Sequence, residues 1–442
     1  MLILVILTIY TLIYIVKSKR YKSPNTYDHT PKIKMLPNKH YITGDWNSIC
    51  NNIENANEYH TENIKKYGTH QFSLPFSPIY INLEPNEENL KHILLKNFAN
   101  YIKDDEQKLI FGELFGNGIF ATDNIDWKIS RLTMSSFLMK NHTYIKELFQ
   151  EQILNLVLPV NIVEKVDIQK IFFELTAKSS FQMIFGINVD NEEINKCAEM
   201  FDKCQELMFK RYFKPWWKIE RYLNIGDEKI INKNIKILDD FCFEHIKNPD
   251  GLVKYCIDNE LDKMETRDII MNMLIASRDT TATALTWCIY EIIQNQDLID
   301  KLRTDEEFLI SFINETLRLH PPIPSDTKMV VEDDILPDGT RLPAKSIIIY
   351  RPYSHGRLLY KDGDKFDTNR KHKSQYYSPI FNAGPRICLG KNLALLQIKL
   401  VLSTLINKYD FNGFICENPK WIPGITLRMK DGLYVYINNK FN

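Results

Sequence analysis

Phe381-Asn382-Ala383-Gly384-Pro385-Arg386-Ile387-Cys388-Leu389-Gly390 sets one cysteine in a turn bordered by glycines, with an arginine two residues before it. Glycine lets the backbone bend and approach a flat ring closely. A guanidinium at Arg386 matches a carboxylate in two-pronged fashion. The run that follows, 391–405, reads as a helix, so Cys388 falls just before a helix N-terminus, where a negative sulfur is stabilised. Backbone N–H groups around the turn can also tune the sulfur. This is the arrangement a thiolate needs to hold an iron porphyrin. A cysteine without such surroundings is usually a small buried hydrophobe.

The spacing F-x-x-G-x-R-x-C-x-G, met at Phe381, Gly384, Arg386, Cys388 and Gly390, resembles the haem-binding loop of the cytochrome P450 superfamily. Three further segments extend the resemblance. Ala276-Ser277-Arg278-Asp279-Thr280-Thr281 is similar to the central-helix motif A/G-G-x-D/E-T-T, which makes Asp279 and Thr280 the catalytic pair that delivers protons to bound dioxygen. Ser277 stands where the family usually has glycine. A threonine hydroxyl that bonds back to the preceding turn is expected to loosen the helix and open a groove there. Trp127 and Arg131 lie four apart on one helical face and match the W-x-x-x-R pair that clamps a haem propionate. Glu315 and Arg318 form E-x-x-R and, with Phe366 and Arg370, resemble the buried Glu-Arg-Arg triad that locks the cysteine loop. Thr368 and Asn369 replace the usual Pro-Glu of that second motif. Lys328 falls where many members place another propionate-binding arginine.

The chain has 442 residues, 44% of them hydrophobic, enough to bury a large core. Lys plus Arg and Asp plus Glu both number 56, and this balance argues against a general nucleic-acid binder. The eight cysteines form no C-x-x-C pair and no secreted disulfide pattern, so reduced thiols facing the cytosol are expected. Residues 1–16 are almost wholly apolar, and Lys17, Lys19, Arg20 and Lys22 follow. The run is short against the ~20 residues of a usual span, but flanking lysines can snorkel. With no basic stretch before it and no small-x-small site after it, it reads as an uncleaved signal-anchor. The basic flank keeps the following domain cytosolic, at the endoplasmic reticulum. Residues 17–35, punctuated by Pro24 and Pro31, read as a stiff linker. The rest, 36–442, reads as one catalytic domain.

Helical periodicity dominates, over 87–98, 143–158, 168–185, 192–212, 227–246, 266–294, 306–319 and 391–409. Strand patterns are few, at 79–83, 328–331, 346–350 and 432–437, and Asp338-Gly339 marks a hairpin. Mainly α with small β-sheets is the fold class the family resemblance requires.

The resemblance implies a haem-thiolate monooxygenase carrying haem b (iron protoporphyrin IX), with Cys388 as the axial metal ligand. Electrons would come from NADPH through a separate flavoprotein reductase. Segments 278–282, 214–217 with 223–226, and 326–340 look most like the plant and fungal fatty-acid ω-hydroxylases, so the implied substrate is a long-chain fatty acid or related lipid. Ala276 occupies the position at which animal ω-hydroxylases esterify their haem through glutamate, so that link should be absent. Hydroxylation of other lipids, sterols or xenobiotics, rearrangement of lipid hydroperoxides, and haem binding without turnover stay open as alternatives. The intact acid–threonine pair weighs against the last two.

Overall fold

The computed structural model describes residues 33–36, 43–75, 77–186, 191–371, 373–413 and 419–440. The expected anchor 1–16, nearly all of the linker and Cys416 lie outside the described residues. Among the described residues no helix is long and apolar enough to cross a membrane.

The helices that position the site are α1 (Asp105–Phe115), α2 (Asn124–Lys140), α3 (Ile168–Phe185), α4 (Asn191–Lys210), α5 (Lys263–Gln294), α6 (Glu306–Leu319) and α7 (Lys391–Lys408). Their starts are written in the sequence. Asp262 accepts from the Met264 and Glu265 N–H groups at 2.7 and 2.8 Å while Glu265 accepts from the Asp262 N–H at 2.9 Å, a complete capping box for α5. Asp104, Asp167 and Asp305 cap α1, α3 and α6 by accepting from the N–H groups of Gln107, Gln169 and Phe308. The α5 helix is buried along most of its length, packs on α3 and α7, and forms the axis of the main core.

Eleven described strands form three sheets: β1 (Lys34–Met35), β2 (His70–Ser73), β3 (Ile79–Asn82), β4 (Tyr101–Ile102), β5 (Asn161–Asp167), β6 (Asp326–Val330), β7 (Asp334–Ile335), β8 (Arg341–Leu342), β9 (Ile347–Tyr350), β10 (Tyr409–Asn412) and β11 (Tyr434–Asn439). The largest sheet runs β1-β2-β3-β9-β6-β4. Its β6–β9 register pairs Asp326 with Tyr350. The hairpin expected at Asp338-Gly339 joins β7 to β8.

Helix bounds at 168–185 and 306–319 agree with the periodicity, and α1, β2, β5 and β10 had no reading in the sequence. The helix expected over 87–98 differs in kind. It is α-helical only over Glu87–Lys91, widens to a π-turn at His92–Lys96 and tightens at Phe98–Asn100. This irregular stretch abuts the cysteine loop. A Cβ on Gly384, whose φ is +62°, would stand 2.1 Å from the Leu94 carbonyl oxygen. Only glycine meets both demands.

The stretch that precedes the cysteine loop, 356–370, is braced by Glu315, Arg318 and Arg370. Glu315 holds Arg318 through both carboxylate oxygens at 2.7 Å, Arg370 Nε at 3.2 Å and the Asp367 N–H at 2.9 Å. Arg318 donates onward to the carbonyls of Gly356, Gly363 and Lys365. Arg370 reaches the carbonyls of Lys361 and Asp362. Two arginines thus tie the backbone between Gly356 and Asp367 to one carboxylate, and Thr368 and Asn369 do not prevent it. Glu315→Ala should strand these charges in the interior at a loss of about 3–5 kcal/mol. The expected outcome is insoluble or haem-free protein; normal haem content in that variant would refute the bracing role.

Candidate active site

The cysteine loop, α2, α5 and the β6–β9 edge enclose a cavity of ≈ 380 Å³. Trp127, Arg131, Thr280, Phe381, Arg386, Cys388 and Gly390 all line it. Asp279 and Gly384 stand behind the wall, and Glu315, Arg318 and Arg370 lie in the brace. Phenylalanine, methionine and isoleucine side chains, among them Phe111, Phe115, Met134, Met183 and Ile275, make most of the remaining surface.

Cys388 is exposed, but onto the cavity it lines. Its N–H donates to the Phe381 carbonyl at 2.8 Å, closing the loop. Packing on its other sides pushes the thiol up, while the Gly390 and Lys391 N–H groups at the start of α7 and the charge of Arg131 pull it down. A coordinated metal deprotonates such a thiol outright. Gly390 has an ordinary φ of −87° as the N-cap of α7, and a Cβ there would meet nothing. Its value is therefore open space over the cavity rather than a bend; the bend belongs to Gly384.

Trp127 and Arg131 share a face as their spacing requires, with the guanidinium 5.6 Å from the indole centroid. Arg131 Nη2 donates to the Ile387 carbonyl at 2.9 Å, so α2 grips the loop directly. Arg386 lies against Trp127 at 4.5 Å and donates through Nη2 to Asp123 at 2.5 Å and to the Thr122 carbonyl at 2.9 Å. Its Nε is buried with no partner among the described residues. A carboxylate entering the cavity would satisfy that orphaned donor. The open face of Gly390, the thiol and this donor together fit a porphyrin bearing carboxylates.

The central helix departs from one expectation. Thr280 Oγ1 does donate to the Ala276 carbonyl at 2.8 Å, yet α5 continues unbroken through Ala276–Thr281. A carbonyl has two lone pairs and can accept both the hydroxyl and the helical N–H, so no groove needs to open. Ser277, in the place of glycine, lies 2.7 Å from the Met273 carbonyl and 2.8 Å from the Ser180 hydroxyl. Asp279 turns to α4: Oδ2 accepts from Gln205 at 2.9 Å, and Oδ1 sits 3.3 Å from Arg278. Arg278 and Arg428 both reach Asp202, at 2.6 and 3.0 Å. Burial raises the Asp279 carboxyl above the usual range; Arg278 opposes this and Asp202 adds to it.

Sequence reasoning missed the carboxylates that organise the cavity's cations. Asp123 accepts from Arg386, Lys108 and the Lys103 N–H. Asp326 accepts from Lys103 Nζ at 3.2 Å, Lys328 Nζ at 3.0 Å, Tyr350 OH at 2.6 Å and Asn382 Nδ2 at 3.1 Å. Burial opposes its ionisation, but the two lysines and the tyrosine hold it far below the usual carboxylate range. The only signal in the sequence was Asp326 two places from Lys328, on the same face of a strand.

The chain is similar to known proteins over most of its length. The family described as Cytochrome P450 matches residues 35–414. Cytochrome P450 704C1 of Pinus taeda is 30% identical, with 88% of this chain and 90% of that protein covered. Cytochrome P450 94B1 of Arabidopsis thaliana is 28% identical, with 80% of this chain and 81% of that protein covered. The crystal structure of CYP175A1 from Thermus thermophillus superposes with a TM-score of 0.75 over 92% of this chain and all of that one, at 19% identity, a likeness of fold.

Lys328 offers a test of the buried charges. Burial first of all pulls its ammonium down from an ordinary 10.5 to about 7. Between those values the unfolded chain binds the proton that the folded chain lacks. Stability of the haem-free protein therefore rises with pH across the window, by up to ~1.4 kcal/mol per unit. Measured as urea midpoints, wild type should gain on Lys328→Met, which cannot titrate there, as pH rises from about 7 towards 10. Parallel curves would contradict the assignment.

Proposed function

Since this chain belongs to the cytochrome P450 family and is a haem-thiolate monooxygenase, we propose that it hydroxylates a long-chain fatty acid or a closely related lipid, with Cys388 as the residue that would hold the haem iron. The observation that supports this reading is the largely apolar cavity with the Cys388 thiol and the Thr280 hydroxyl both on its wall. The likeness of segments 278–282 and 326–340 to fatty-acid ω-hydroxylases agrees with it. Electrons reach the site from NADPH through a separate flavoprotein reductase. The domain 36–442 is held at a membrane by an anchor at 1–16, behind the linker 17–35.

Haem bound here supplies the activation of dioxygen and the insertion of one oxygen atom. The chain supplies the rest. Cys388 would hold the iron as a thiolate: burial pushes its thiol up, the Gly390 and Lys391 N–H groups and the charge of Arg131 oppose this, and coordination would complete the ionisation. Trp127, Arg131 and Arg386 would hold the propionates, with Asp123 fixing Arg386 and the Ile387 carbonyl fixing Arg131. Phe381 and the apolar lining exclude water. The Thr280 hydroxyl, fixed at its proton end by Ala276, presents its oxygen as an acceptor at the wall. Asp279, whose carboxyl burial raises above the usual range, stands behind the wall one residue before it and would supply a proton to the cavity by turning away from Gln205.

Incubation of the purified holoenzyme with a reductase, NADPH and a lipid panel tests the reading. Hydroxylated fatty acids by mass spectrometry are expected. Products from sterols or xenobiotics alone would replace the substrate class, and absence of reductase-dependent oxygen uptake would leave a haem binder without turnover. Cys388→Ser should abolish the red-shifted Soret band of the ferrous carbon-monoxide form. Asp279→Asn should cut product formation by about 10²-fold, the size of a lost proton donor, with substrate affinity unchanged; an unaltered, fully coupled rate would remove Asp279 from proton supply.

A further inference from the structure

Strand side chains alternate between the two faces of a sheet. On one face of the largest sheet Phe72, Tyr80, Ile347 and Ile349 form an apolar cluster, packed against Tyr59 and Tyr67 of the helix Ala56–Tyr67. Continuing β2, β3 and β9 along this face leads to His70, Asn82 and Arg351, with His70 and Asn82 in register. His60 of the helix completes the group, and all four side chains are buried. One end of an apolar face thus carries three basic side chains. No carboxylate pairs with them among the described residues. Glu58, on the same helix, turns to Tyr353, and Glu84 lies over Gly68. The other described buried arginines, Arg211, Arg267, Arg278 and Arg318, each meet a carboxylate. Arg351 is the exception. Burial alone acts on its guanidinium, pulling it down to about 9, and a buried cation without a counter-charge is costly.

The hydrogen bonds fix which groups remain unspent. Arg351 Nε donates to Asn82 Oδ1 at 3.0 Å, so the amide must point its Nδ2 at His60 Nδ1, 3.1 Å away, and at His70 Nε2, 3.2 Å away. Both of those ring nitrogens therefore accept, and both rings are neutral. His70 spends its proton on the Gly68 carbonyl at 2.9 Å. His60 carries its proton on Nε2. Among the described residues that nitrogen and both η nitrogens of Arg351 have no partner. Every unspent side-chain group of the cluster is a donor. Arg351 keeps 6% of its surface open and His60 5%, so these donors are within reach of a small solute.

We propose that Arg351, with His60 beside it, binds a small oxyanion, inorganic phosphate or a carboxylate, at this end of the sheet. A planar guanidinium offers such an ion parallel N–H groups, and the ion supplies the charge that the chain does not. Arg351 stands between Tyr350 and Pro352, which both line the cavity that holds Cys388. The bound ion thus fixes part of that wall from behind, whatever substrate the cavity takes.

Thermal unfolding of the holoenzyme tests this, at about pH 8, where burial keeps both histidines neutral, and at constant ionic strength and scan rate. Exchanging sodium chloride for sodium phosphate or sodium acetate should raise the Tm of wild type by about 3 °C. Arg351→Met should lose that gain. Arg351→Lys, a point charge in place of the fork, should keep less than half of it. A gain with phosphate alone assigns the site to phosphate, and one with acetate alone to a carboxylate. Equal Tm in the three salts overturns the site. So does a gain that persists undiminished in Arg351→Met, because phosphate strengthens apolar burial in any protein. Should Arg351→Met fail to load haem, as its carbon-monoxide spectrum will show, Arg351→Lys decides, and a gain there equal to that of wild type overturns the site.

Discussion

The carboxylate of Glu315, wholly removed from water, is the constraint on which the site depends. A buried anion must be matched by cations and N–H groups within reach, and here the partners come from α6, from the loop around Asp367 and from Arg370. The arginines in turn consume carbonyls that irregular backbone would otherwise leave unsatisfied. Regular helix cannot make the cysteine turn. Glu315 braces a neighbouring stretch, while the close contact of Gly384 with Leu94 seats the turn itself.

A second charged layer surrounds the cavity. Asp123 and Asp326 gather Lys103, Lys108, Lys328 and Arg386, and α2 adds Arg131. The cations outnumber the carboxylates, which suits a cavity that receives further anions. The charged side chains lie in this rim and on the outer side of α5, where Asp279, Arg278, Asp202 and Arg428 interlock. The space between is apolar. A hydrophobic substrate and a charged cofactor edge can therefore occupy one enclosure without competing for the same wall.

Much of this was legible along the chain. The cysteine loop, the Glu315–Arg318 pair and the Trp127–Arg131 face are local patterns, and local patterns survive folding because helix periodicity and turn chemistry act over a few residues. The capping aspartates marked helix starts for the same reason. The expected loosening of α5 at Thr280 did not occur, because the Ala276 carbonyl can accept twice. The helix expected over 87–98 became a π-turn, where packing against Gly384 outweighs local preference. Of the two uses expected of glycine in this loop, Gly384 serves the bend and Gly390 leaves open space over the cavity.

The sequence by itself determined the class of fold, the family, the cysteine and the brace, since each is carried by residue types at short, fixed spacing. Tertiary structure alone decided the ion pairs between distant parts of the chain. Lys103 reaches Asp326 across more than two hundred residues, Arg386 reaches Asp123 from the opposite end of the chain, and Asp279 faces Gln205 rather than the cavity. Coulomb pairing depends on distance in space, and no periodicity along the chain encodes it.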